Sequence, residues 1–109
     1  MSELTSIVVP AEFAALEDAF PGIVVALRDA RVAGEVGSSL SEREVELVRL
    51  GAMIAIDAPQ ASFTPHVERA LAGSVTSEDI MAVAAALATI VGVPKLLATL
   101  PKLAEALEA

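Results

Sequence analysis

Cysteine is absent from this 109-residue chain, as are tryptophan and tyrosine, and histidine occurs once. Without a thiol there is no disulfide, no thiolate nucleophile and no cysteine-bound metal, and a lone imidazole makes no metal site. No cofactor is expected. Cations are scarce as well: seven Lys and Arg stand against fifteen Asp and Glu, a formal charge of −8. They stand singly, with no basic run and no interleaved set of aromatic stacking residues, which disfavours nucleic acid and an anionic membrane surface as partners. The acidic excess instead keeps an apolar chain dissolved. No signal-like leader is expected either, because Glu3 stands where basic residues are needed and the apolar run Ile7–Val9 is short. The expected location is cytoplasmic.

What is present is small and aliphatic. Hydrophobic residues make up 55% of the chain, yet its only aromatics are three phenylalanines. Alanine, valine, leucine and isoleucine let helix backbones approach closely, so packed helices suit this composition better than a thick sheet core. The length allows one domain, residues 1–109, and a chain this short buries only a modest share of its surface alone. A homo-oligomer is therefore expected, its size (a trimer, a hexamer or another state) being left open by the composition. Ile80 to Pro94 carries no charge, but falls short of the roughly 20 apolar residues that span a bilayer. A helix apolar on every side is otherwise one buried inside an assembly.

Helix punctuation is frequent. Pro10 suits the first turn of a helix through Phe13 and Leu16, and Pro21 breaks it before a second helix over Ile23–Arg31. Gly34, Gly37, Ser38 and Ser39 read as a loop. Ser41 with Glu44 forms a capping box for a helix running to about Ala58, stopped by Pro59. Thr64-Pro65 signals another start and Gly73 its end. Thr76 caps the next helix, with Glu78 and Asp79 at its positive end. Gly92-Val-Pro94 separates it from a last helix to Leu107, which Pro101 kinks or splits. The one β-like run, Ser6–Val9, is too short to argue for a strand. The fold class is all-α, with five to seven helices.

Two side chains stand out chemically. Steps of about 100° per residue place Glu46, Leu50, Met53 and Asp57 on one stripe. A carboxylate held among apolar groups has the raised pKa that a general acid or base needs near neutrality. The plainer alternative pairs Glu46 with Arg49 or Arg43 on a wet face. His66 is placed in the first turn of its helix, where the positive end favours the neutral imidazole able to accept a proton. Its plainer role is a half-buried histidine bonded to a backbone carbonyl.

These elements resemble the carboxymuconolactone decarboxylase and alkylhydroperoxidase-like family. Leu40-Ser-Glu-Arg-Glu-Val-Glu-Leu-Val48 is similar to the opening of its central helix. His66, Ala70-Leu71, Gly73 and the capped helix from Thr76 resemble its histidine signature, and Gly92-Val-Pro94 its break before the last helix. Together they cover about two thirds of the chain, from Leu40 onward. The resemblance implies a compact oligomeric helical domain in which Glu46 and His66 exchange protons with a substrate, Glu44 standing in reserve for Glu46. Peroxide-reducing members carry Cys-x-x-Cys before the histidine, and those positions fall here on Pro59 and Ser62. A serine hydroxyl cannot form the disulfide of such a cycle, so thiol peroxidase chemistry is excluded. The family's decarboxylase branch uses acid–base chemistry on a small lactone acid, which implies a small organic acid or lactone as partner. Such a substrate needs cationic or hydrogen-bonding holders. Arg49 leads, ahead of Arg69 and Lys95, with Ser62 and Thr64 as hydrogen-bonding candidates whose plainer task is capping. The alternative is an interaction module that keeps the scaffold without the site.

Overall fold

Local chemistry at the helix ends decides where this chain turns. The computed structural model describes residue 11 and residues 13–108, so the expected start at Pro10 and the run Ser6–Val9 lie outside the described residues. Six helices, and no strand, occur among the described residues: α1 (Phe13–Ala19), α2 (Ile23–Val36), α3 (Glu42–Ala55), α4 (Gln60–Ala72), α5 (Ser77–Val91) and α6 (Val93–Glu108). No helix among them is long and apolar enough to cross a membrane. The chain divides into two compact units between Ser39 and Leu40.

The first unit holds α1 and α2. Pro21 ends α1 as expected, and Gly22 takes the left-handed conformation (φ 92°) that lets the chain turn into α2. Glu17 completes the turn: its carboxylate accepts from the backbone N–H of Gly22 at 2.6 Å and of Val24 at 3.2 Å. The helix α2 runs through Gly34 to Val36, so the loop expected from Gly34 begins only at Gly37. One interior glycine costs roughly 1 kcal/mol, too little to stop a helix already propagating. Neither helix contains a buried residue.

In the second unit a capping box opens α3: Ser41 Oγ accepts from Glu44 N at 3.1 Å, and Glu44 Oε1 accepts from Ser41 N at 2.8 Å. A second opens α5, with Thr76 Oγ1 accepting from Asp79 N at 3.1 Å and Asp79 Oδ2 from Thr76 N at 2.9 Å. Arg43 ties the two openings together. It donates to both Asp79 oxygens, at 2.6 and 2.9 Å, and to the Ser74 carbonyl at 3.0 Å. Helix α3 packs on α4, α5 and α6, and α6 also packs on α4 and α5. Leu50, Ile54, Phe63, Val67, Ile80 and Leu103 are fully buried between them.

The end of α3 differs from the expected Ala58. The helix stops at Ala55, and Asp57 adopts φ 53°. Ala58 N donates to Met53 O at 3.0 Å and Asp57 N to Ile54 O at 3.1 Å, the paired bonds of a Schellman cap. Glycine commonly holds that left-handed position; aspartate tolerates it. Here its carboxylate accepts from Lys102 Nζ at 2.9 Å and from the buried Thr99 hydroxyl at 3.2 Å, fastening α6 to the turn. Asp57 thus leaves the Glu46 stripe. Pro101 lies inside an unbroken α6 rather than splitting it. It is exposed, so water can serve the carbonyl that its missing N–H leaves behind.

These cradles set an acid limit. Arg43 beside Asp79, Lys102 beside Asp57, the Ser41 N–H on Glu44 and the Gly22 N–H on Glu17 each hold a carboxyl below its ordinary range. A depressed folded value means that the unfolded chain takes up protons first as pH falls. The stabilisation is therefore present above the ordinary carboxylate range and is lost as pH drops through the lower folded values. Thermal melts should hold near neutrality and fall below about pH 4, and Asp79→Asn should flatten that fall. A melting temperature that rises on acidification would contradict it.

Candidate functional site

The capping box that starts α3 also decides what its acids can do. Glu44 is exposed and its carboxylate closes the cap. Two residues further on, the helix turns Glu46 inward, in line with Leu50 and Met53. Glu46 is 6% exposed, and with Thr99 it makes up the buried polar residues described. Arg49, one turn on, places Nη1 3.6 Å from Glu46 Oε1. Glu46 is therefore both buried and ion-paired, a combination of the two readings that periodicity left open. Its second oxygen, Oε2, is buried and accepts no hydrogen bond. A buried carboxylate oxygen without a donor is costly and calls for an explanation.

Helix α4 corrects the sequence expectation. It starts at Gln60, with Pro59 as the extended N-cap, and Pro65 lies inside it. Thr64 is not a cap; its Oγ1 accepts from Gln60 Nε2 at 3.1 Å. Gln60 also donates to the Lys102 carbonyl at 2.9 Å, and Phe63 is fully buried. These contacts form the first turn early and outweigh the one backbone bond that Pro65 removes. His66 consequently stands six residues after the helix opens, beyond the first turn in which the helix dipole acts. The helix dipole therefore does not act on it as the sequence suggests.

His66 is half-buried with Nδ1 inside the protein. It precedes the buried Val67 by one residue, as Arg49 precedes the buried Leu50. Helices α3 and α4 are in contact and joined by four residues, Ile56 to Pro59. Ser62 is half-buried one turn before His66, and Arg69 one turn after it. Arg69 Nη1, like Arg49 Nη1, is buried. Lys95 is elsewhere, donating to the Ala55 carbonyl at 3.1 Å.

The structure thus joins Glu46 to Arg49 on α3 and groups Ser62, His66 and Arg69 on one flank of α4. What sequence reasoning missed are the fasteners: the Arg43–Asp79 pair and the Asp57–Lys102–Thr99 cluster. Asp79 was legible as the third residue of a capped helix, a capping-box position. Nothing local marks Asp57 and Lys102, which lie 45 residues apart.

The family model of the carboxymuconolactone decarboxylase family matches residues 18–105, and the chain belongs to that family. No curated protein and no solved structure matches it.

Proposed function

We propose that this member of the carboxymuconolactone decarboxylase family carries out non-redox proton transfer, of decarboxylation or isomerisation type, on a small organic acid or lactone. Glu46 and His66 are the proton-exchanging groups, with Arg49 and Ser62 beside them. The observation that carries the reading is Glu46 Oε2, buried on the face of α3 and accepting no hydrogen bond. A carboxylate so placed can take a proton from a bound carbon or oxygen acid without competition from bulk water. His66, on the adjoining helix, supplies a second group able to give and take a proton near neutral pH. With no cysteine in the chain, a thiol-based peroxide cycle is chemically closed to it. The test is turnover of a panel of lactones and β-keto acids by the unaltered protein, Glu46→Gln and His66→Ala. Activity lost in both variants while they remain folded supports the roles; unchanged rates reject them.

Assembly belongs to the same proposal. Met81, Ala82, Ala85, Ala86, Thr89 and Ile90 are exposed along α5, in a stretch with no charge from Ile80 to Pro94. A neutral apolar face on a chain of charge −8 suits a second copy of the same chain, which would meet there without acid-to-acid repulsion. Light scattering after size exclusion should give a trimer or hexamer, and Ile90→Glu should reduce it to monomer. A monomeric unaltered protein would contradict this. An oligomer that no candidate substrate engages would instead favour the scaffold-only reading.

A further inference from the structure

Glu46 and Arg49 are more than neighbours on a helix surface. Their side chains are 8% and 23% exposed, and Nη1 lies 3.6 Å from Oε1. At that separation the guanidinium orients the carboxylate by charge without reaching the 2.7–3.2 Å of an N–H···O hydrogen bond. The other oxygen, Oε2, is buried and has no donor. The two oxygens are therefore unlike: Oε1 has a guanidinium beside it, and Oε2 has no hydrogen-bond partner.

We infer that Arg49 is a positioning residue for Glu46: it holds Oε1 and leaves Oε2 as the oxygen that meets the ligand. The inference rests on the acid–base reading of Glu46 given above. It assigns Arg49 a task different from holding a substrate carboxylate. An anion brought to Nη1 would lie close to Glu46 in a sheltered setting, where like charges repel strongly. What complements Oε2 is a donor, an O–H, an N–H or an acidic C–H.

The experiment compares Arg49→Gln, Arg49→Lys, Glu46→Gln and the Glu46→Gln/Arg49→Gln double variant. Arg49→Gln should lower kcat about tenfold or more with KM within about twofold, the pattern of a contact that matters in the transition state. Arg49→Lys should restore most of kcat, because the charge is kept. The double variant should be no slower than Glu46→Gln, since Arg49 acts through Glu46. A KM raised about tenfold with kcat unchanged would overturn the assignment in favour of substrate holding. Melting temperatures supply a reading independent of turnover: shifts of the two single variants should be non-additive in the double variant. Additive shifts would overturn the inference even if the proton-transfer reading stands. Non-additive shifts in a protein that turns over none of the substrate panel would place the failure in that reading instead.

Discussion

Phe63→Ala is expected to remove about 3–5 kcal/mol of stability, most of what a unit of this size has to lose. Phe63 is fully buried and is the largest such side chain among the described residues. It sits in the first turns of α4, with Val67 and Ala70 on the buried stripe that follows. The second unit spans Leu40–Ala109, and a domain of about seventy residues holds roughly 4–10 kcal/mol in total. Truncation removes the transfer free energy of a ring and leaves a cavity that neighbouring aliphatic side chains only partly fill. The variant should therefore be largely unfolded at 37 °C, or melt far below the parent in thermal denaturation. Leu97→Ala is the control, since Leu97 is 64% exposed, and should change stability by less than about 0.5 kcal/mol. Equal effects from the two substitutions would mean that α4 does not carry the core described.

The second large effect is on rate. Glu46→Gln should lower turnover of a competent substrate by about 10²- to 10⁴-fold, the usual contribution of a positioned acid or base. Glutamine keeps the shape and burial of the side chain but cannot take up a proton. Arg49, 23% exposed on its side chain, keeps a polar partner in the same place, so stability should change far less than in Phe63→Ala. The plain structural alternative predicts the reverse pattern. If Glu46 serves only as an ion-pair member, Glu46→Gln moves the melting temperature and leaves turnover alone.

Much of this architecture is written in short-range signals. Ser41 with Glu44 and Thr76 with Asp79 are helix starts whose partners lie three residues away, so a local reading finds them. Gly92, at φ 87°, ends α5 where glycine before a proline suggests. The start of α4 was misplaced because Pro65 looks like a first-turn residue, while contacts of Gln60 with Lys102 and the burial of Phe63 begin the helix earlier. Those contacts join positions some forty residues apart, and no local pattern contains them. The end of α3 was missed for a related reason: helical periodicity carries Asp57 onto the Glu46 stripe until its left-handed φ turns it towards Lys102 and Thr99. Burial of Glu46 was one of two readings that spacing left open, suggested by Leu50 and Met53 on its stripe. Its pairing with Arg49 was the other, and the structure shows that burial and pairing coexist. The place of His66 on its helix was misjudged along with the helix start, while its half-burial agrees with the plainer reading.

Proton transfer itself can be measured without knowing the natural substrate. In heavy water, small β-keto acids and lactones exchange the hydrogen next to their carbonyl, and the rate is read by NMR with and without protein. The protein is expected to accelerate this exchange over buffer for at least one member of the set, and Glu46→Gln to abolish most of that acceleration while remaining folded. Acceleration that survives intact in folded Glu46→Gln would contradict the central claim.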